Sequence, residues 1–305
     1  MTTLDFDELR RLRAERPEAV REAYENRIRR PLVRDDGRLF IVAADHPARG
    51  ALGVGDEGDA MADRYRLLER LAIALENPGV DGVLGTPDIL DDLALLGLLD
   101  DKVLVGSMNR GGLRGSTFEM DDRFTGFDVP AMAAAGLDFA KVLIRLDLDD
   151  PATVRTMAEV ARAVSEAAAA ELPIMLEPFM SSRVNGRVVN DLSTEAVVTS
   201  VAIASGLGDN SAYSWMKLPV VPDMERVMAA TTMPTLLLGG DNGEDQDVTF
   251  ASWEAALALP GVRGLTVGRT LLYPRDGDVA SAVDTAARLV HTDIRNEEGD
   301  PHERS

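Results

Sequence analysis

A chain of 305 residues is long enough for one large core, and its 45% hydrophobic and 28% charged residues exclude a disordered chain. The formal charge of −20 sets the molecule against nucleic acid and anionic membranes as partners, so an anionic metabolite needs a local positive pocket. With no cysteine there is neither a disulfide nor a thiolate metal site, and no apolar run reaches the ~20 residues that span a bilayer.

Residues 4–30 read as one helix ahead of the first strand, a solvated cap carrying Arg10, Arg11, Arg13 and Arg16. This segment has no apolar core for a secretion signal, and the expected compartment is the cytoplasm. Residues 1–38 are thus an N-terminal helical extension. From there, short runs rich in Val, Ile and Leu alternate with polar turns and amphipathic, Ala-rich segments, the pattern of β/α units on a parallel sheet. Strands are expected at 39–44, 82–85, 103–106, 139–146, 173–177, 213–218, 235–238 and 264–267. Helices are expected at 59–76, 87–98, 128–136, 151–170, 194–207, 222–230, 248–259 and 278–292. Eight strands alternating with eight helices favour a closed (β/α)8 TIM barrel of class α/β over residues 39–292, although a doubly wound order fits the same count. Residues 293–305 are polar and without an apolar period, a flexible tail.

Of the 32 basic residues only Lys102, Lys141 and Lys217 are lysine. Composition bias accounts for the scarcity but not for the placement. Lys141 and Lys217 interrupt apolar strand patterns, where a buried charge is costly without a task. An amine, unlike a guanidinium, can lose its proton when desolvated and attack a carbonyl carbon. Alternation along a strand puts Lys217 on one face with Tyr213 and Trp215, and Lys141 on one face with Leu143 and Arg145. If both faces point inward, the two ammonium groups lower one another's proton affinity. The alternative is that each lysine is a buried ion-pair partner, to Asp45 or Glu177. Lys102, beside Asp100 and Asp101, needs no special role.

The first strand ends at Asp45-His46 and the fifth at Glu177-Pro178, placing two carboxylates on the rim where barrel active sites are built. Either can handle protons; Asp45 can also cap a turn or pair with a lysine. After the seventh strand comes Gly239-Gly240, and after the eighth Gly268-Arg269. Loops in these two places often hold phosphate, and Arg269 offers a fork of donors, although paired glycines are also ordinary turn chemistry. The connection 107–128 is long, with little helical period, and reads equally as a lid or as a packed surface loop. Within it, Arg110 or Arg114 could meet a second anionic group, such as a carboxylate.

These residues, in order over most of 39–275, resemble the class I aldolases, the group that includes tagatose-bisphosphate aldolase and the archaeal-type fructose-bisphosphate aldolases. The likeness rests on Asp45-His46, Lys141 to Asp147 on the fourth strand, Glu177-Pro178, Met216-Lys217, Gly239-Gly240 and Gly268-Arg269. It implies Lys217 as the Schiff-base lysine, Lys141 as a second active-site lysine, Asp45 and Glu177 as the acids, and the glycine turns as the phosphate grip. Deoxyribose-phosphate aldolase is similar in architecture but carries its second lysine on the seventh strand, which here has none. Arg145 stands where related sequences tend to have an aromatic, and this leaves the sugar open. The chain also resembles an actinobacterial group associated with inositol breakdown. That implies 2-deoxy-5-keto-gluconate 6-phosphate as substrate, cleaved to dihydroxyacetone phosphate and malonate semialdehyde. The acid group would then give Arg110, Arg114 or Arg145 a carboxylate.

Zinc-dependent aldol chemistry needs several histidines, and only His46, His291 and His302 exist, so neither a metal nor another cofactor is expected. A homo-oligomer acting on a small phosphorylated sugar is the expected state. Two other readings remain at this point: a sugar-phosphate-binding barrel without catalysis, and an enediol isomerase using Asp45 and Glu177.

Overall fold

Apolar runs buried on both faces suit parallel strands, because helices cover the outside of such a sheet while strands close its inside. In the computed structural model, which describes residues 4–109, 111–239 and 246–291, these runs form β1 (Leu39–Ala43), β2 (Gly82–Gly85), β3 (Val103–Ser107), β4 (Phe139–Leu146) and β5 (Ile174–Val184). After a short antiparallel strand, β6 (Arg187–Asn190), come β7 (Ser214–Pro219), β8 (Thr235–Leu238) and β9 (Val262–Val267). The parallel strands follow the order β4-β3-β2-β1-β9-β8-β7-β5, and β5 returns to β4, so the sheet closes into an eight-stranded barrel. An open doubly wound order would leave two unpaired edges, whereas each of the eight parallel strands is paired with a parallel neighbour on both sides.

The helices are α1 (Phe6–Glu15), α2 (Ala19–Asn26), α3 (Arg64–Glu76), α4 (Pro87–Leu95), α5 (Val129–Ala135), α6 (Ala152–Ala169), α7 (Thr194–Ser205), α8 (Met224–Met228), α9 (Gln246–Leu257), α10 (Arg269–Leu272) and α11 (Val279–Val290). The single helix expected over 4–30 is in fact two. Pro17 disfavours the helical region for Arg16, and α1 stops there. The helix expected from 59 starts only at Arg64, where the Asp63 carboxylate accepts hydrogen bonds from the amides of Tyr65 and Arg66. The hairpin of β5 with β6, the 3₁₀ turn His46–Arg49 and the short α10 are additions to the expected set. Among the described residues no helix is long and apolar enough to cross a membrane.

Two apolar shells share the strands. Leu39, Ile41, Ala43, Leu84, Val103, Val105, Phe139, Met175 and Leu236 fill the barrel, with Trp215 packed edge-on against Phe139 at a centroid distance of 5.5 Å. The opposite strand faces, with Phe40, Val42, Leu104, Val142, Leu176 and Leu237 among them, meet the helices. Alternation along each strand therefore fixes which side chain comes next above the inner layer, at the C-terminal rim.

The N-terminal segment closes the other end. Leu32 packs against the inner shell, and Asp81, fully buried at the start of β2, accepts hydrogen bonds from Arg30 and Arg34 at 2.6 Å each, from the Phe40 amide at 2.7 Å and from His291 at 3.0 Å. His291 also contacts Asp36 at 2.6 Å, so one charge cluster ties the segment before β1 to the end of α11.

Candidate active site

The inner parity that places Phe139, Met175, Trp215 and Ala43 in the barrel core brings Lys141, Glu177, Lys217 and Asp45 directly above them. Register supports this: Lys141 pairs with Met175 and Ser107, and Lys217 pairs with Leu236. The four groups converge into one buried cluster. Lys141 Nζ donates to Asp45 Oδ2 at 2.9 Å and lies 2.5 Å from Glu177 Oε2. Lys217 Nζ donates to Glu177 Oε1 at 2.6 Å. Glu177 therefore divides its two oxygens between the two lysines, and Ser107 Oγ steadies Asp45 from a further side at 3.1 Å.

The two lysines are not equivalent. Burial alone draws the Lys141 ammonium towards deprotonation, but the carboxylates of Asp45 and Glu177 outweigh it and raise its pKa. Lys217 suffers the same burial with one contacting carboxylate and the Lys141 charge against it, and its pKa is lowered. The expected mutual weakening thus acts on Lys217, while Lys141 holds its proton more firmly than usual. The two readings of the lysines also merge, because these amines are ion-paired to Asp45 and Glu177 within a single site. Burial opposes ionisation of both carboxylates, yet the lysines hold Glu177 down to about 2 and Asp45 well below its ordinary value. At neutral pH the cluster holds two carboxylates, one firm ammonium and one amine that yields its proton more easily.

His46, next to Asp45, is pushed down to about 3, first by burial and then, against the pull of Asp45, by the positive charges of Arg269, Arg49 and Lys217. It is a neutral imidazole at physiological pH. Its Nδ1 is buried without a hydrogen-bond partner among the described residues and lies 3.8 Å from Asp45 Oδ1.

Arg145 has a different place from the one expected. It shares the inward face of β4, but the 107–128 connection folds back over it, and its guanidinium bonds both oxygens of the fully buried Asp122 at 2.6 and 3.0 Å. The same group donates to the carbonyls of Gly112 and Glu119. Arg145 is therefore the pin of that connection, with Nε and Nη2 committed to it and Nη1 3.6 Å from the Glu119 carboxylate. The connection is a packed loop: its amides at Thr125 and Gly126 bond the Met108 carbonyl, and Asn109 bridges to Phe124. Arg110 and Gly240 lie outside the described residues.

Gly239 and Gly268 stand at the ends of β8 and β9, and each has a packing reason to be glycine. A Cβ on Gly268 would sit 2.2 Å from the Ala43 carbonyl oxygen, and one on Gly239 would sit 2.6 Å from Val267. Close approach of neighbouring strand ends explains these glycines before any ligand does. The Arg269 side chain lines a cavity of about 240 Å³ together with Arg114 and glycines of the 50–58 loop, on the β1 side of the mouth.

With this geometry in view, the comparisons can be placed. The profile of the Cgl0159-like family matches residues 37–287, the whole barrel through most of α11. The chain belongs to the Cgl0159-like family. The crystal structure of Cgl0159 from Corynebacterium glutamicum is similar at 71% identity, over 95% of this chain and 97% of that one, with a TM-score of 0.93. More distant is an archaeal fructose-1,6-bisphosphate aldolase whose catalytic lysine is covalently bound to the carbinolamine intermediate of its substrate. It is 21% identical over 89% of this chain and 99% of that one, with a TM-score of 0.65. A fructose-bisphosphate aldolase from Slackia heliotrinireducens is 15% identical, over 100% and 97% of the two chains, at a TM-score of 0.59. At these identities the likeness to the aldolases is one of fold. A search among curated proteins finds no match.

Three side chains of the Cgl0159-like site were not singled out in the sequence. Ser107 ends β3 and holds Asp45. Asn109 clamps β4 by donating to the Leu143 carbonyl at 2.7 Å and accepting from its amide at 2.9 Å, which fixes the strand just beyond Lys141. Arg49, in the turn after Asp45, acts on the charges of Asp45, His46 and Lys141. Ser107 closes β3 and Asn109 follows it two residues later, beside a strand with no charge to draw attention to them, and Arg49 lies four residues beyond Asp45.

Proposed function

We propose that this protein is a class I aldolase that cleaves a phosphorylated ketose or keto-sugar acid through a Schiff base on Lys217. The observation that carries the reading is a buried amine with weakened proton affinity, 2.6 Å from a carboxylate and next to a second lysine that keeps its proton. That combination supplies a nucleophile, a base and an acid within one cluster.

In this scheme the Lys217 amine attacks the ketone carbon, and the proton shed by its nitrogen passes through Glu177 to the new alkoxide, giving the carbinolamine. Lys141, the ammonium of the site, donates a proton to the carbinolamine oxygen, which leaves as water and gives the iminium. A carboxylate, Asp45 or Glu177, then takes the proton of the substrate hydroxyl one carbon beyond the bond to be broken. That oxygen's electron pair forms the aldehyde carbonyl, and the pair of the broken carbon–carbon bond moves into the iminium to give an enamine. The carboxylic acid so formed returns its proton to the enamine carbon, and water added to the resulting iminium releases the ketone product and the free Lys217 amine and returns a proton to Lys141. Nothing in these steps calls for a metal.

The phosphate is assigned to the turns at Gly239-Gly240 and Gly268. The expected product is dihydroxyacetone phosphate, and the candidate substrate is 2-deoxy-5-keto-gluconate 6-phosphate, by the resemblance to the inositol-breakdown group.

The test is a screen of phosphorylated ketoses and keto-sugar acids for release of dihydroxyacetone phosphate, with wild type and Lys217→Met side by side. The scheme expects release by wild type alone and inactivation by borohydride only when substrate is present. Release retained by Lys217→Met would remove Lys217 as the Schiff-base lysine, and no release from any compound would remove the aldolase reading.

A further inference from the structure

The cavity beside Arg269 has properties that the reaction scheme does not use. It holds about 240 Å³ and is lined by Gly50, Leu52, Gly53, Gly55, Gly58, Arg114 and Arg269. That is below the ~300 Å³ from which sites enclosing a whole drug-sized ligand begin, so it suits one end of a molecule. In a chain of net charge −20, two guanidinium groups line this space, and no carboxylate does among the described residues. The acids of the adjoining loop, Asp56, Glu57 and Asp59, are exposed and lie outside the lining.

Arg49 directly precedes the lining residue Gly50. Its Nε is buried and has no hydrogen-bond partner among the described residues, a state that costs free energy unless a ligand answers it. Arg49 is joined to Arg114 through the main chain, where the Arg114 amide bonds the Arg49 carbonyl at 2.9 Å. Arg114 itself makes no side-chain hydrogen bond or ion pair among the described residues and is exposed at the rim. The glycines let a ligand approach the loop main chain closely. His46 feels the charges of Arg269, Arg49 and Lys217 together, so one lining cation, Arg49 and the reactive amine all lie near one imidazole.

We infer that Arg49, Arg114 and Arg269 form an anion subsite, distinct from the glycine turns after β8 and β9, that holds a second anionic group of the substrate, a phosphate or a carboxylate. The subsite rests on the aldolase reading only for which molecule fills it. A substrate charged at both ends would be stretched across the mouth, with its carbonyl over Lys217 and a fork-shaped cation at its far end. This makes the β1 side of the mouth the part of the barrel that selects among phosphorylated sugars.

The experiment follows modification of individual arginines by phenylglyoxal, read by peptide mass spectrometry on the full-length wild-type protein. Inorganic phosphate or malonate is added, with sodium chloride at matched ionic strength as the control. Slowing of Arg114 and Arg49 modification by tenfold or more is expected with at least one anion. Protection by phosphate points to a second phosphate, and protection by malonate to a sugar acid. Equal rates at Arg114 and Arg49 with and without both anions would overturn the proposal, as would protection confined to Arg269. No carbonyl compound is present, so the outcome is independent of Schiff-base formation. Protection without trapping on Lys217 would leave the subsite standing in a barrel of other chemistry, and trapping without protection would remove the subsite alone.

Discussion

Replacing Glu177 by glutamine separates the electrostatic account of Lys217 from a merely structural one. The amide keeps the shape of the side chain and removes only the charge that sits 2.6 Å from Lys217 Nζ and 2.5 Å from Lys141 Nζ. Glu177 is the chief charge raising the Lys217 pKa against burial, so its loss lowers that pKa further. An opposite charge at this range is worth about 1–3 pKa units. Lys141 keeps its second carboxylate, Asp45, at 2.9 Å, so it stays an ammonium and continues to disfavour charge on Lys217. The rate of Lys217 acetylation by a trace of acetic anhydride, scored by mass spectrometry against a reference amine, reads the free-amine fraction without requiring catalysis. In Glu177→Gln the acid limb of that profile should move down by about 1–3 pH units, while turnover of any substrate falls because a proton acceptor is lost. A limb that stays in place, or that moves upward, would refute the argument that this carboxylate holds the proton on Lys217.

Arg145→Met leaves the fully buried Asp122 without its cation, a change that typically costs about 3–5 kcal/mol, and urea unfolding should show a loss of that order. A loss below about 1 kcal/mol would mean that the pin of the 107–128 loop contributes little. At the opposite end of the barrel, burial opposes charge on His291, but Asp81 and Asp36 outweigh it and raise its pKa above 6.5. Its contribution to stability is complete below the unfolded value and disappears as pH rises through the raised one. His291→Gln should therefore flatten the fall in melting temperature above neutrality, and an unchanged slope would count against the cluster. Asp81 acts in the opposite sense: its pKa is held down to about 2, so its contribution is present above the ordinary aspartate value and is lost as pH falls towards 2. A chelator should leave turnover unchanged, and a large loss restored by added metal would contradict amine chemistry.

The barrel was legible because its strands are the simplest signal a sequence offers. Leu39 to Ala43 is apolar on both faces and Phe139 to Leu146 is buried throughout, with Lys141 and Arg145 its only charges, and the order and count of such runs leave few closed arrangements. The site followed from the same alternation, since Lys141 and Lys217 at inward positions above the apolar inner layer have nowhere to go but the mouth. The remaining features depend on contacts between segments distant in sequence. Alternation correctly turns Arg145 inward but cannot reveal that Asp122 comes back to meet it. Asn109 matters only because β4 lies beside it, and Arg49 only because the turn after Asp45 folds over the lysines. The polar hairpin of β5 and β6 carries little apolar alternation to announce it, with most of Ser182 to Asn190 exposed. Pro17, by contrast, was a visible break in the first helix, and the arginine pattern around it masked the signal.

The most direct examination of the central claim is to reduce the protein with borohydride in the presence of dihydroxyacetone phosphate and locate the added mass by tandem mass spectrometry. The account predicts a single reduced adduct on Lys217, absent when the carbonyl compound is omitted. An adduct on Lys141 in its place, or no adduct under conditions where the protein turns substrate over, would contradict it.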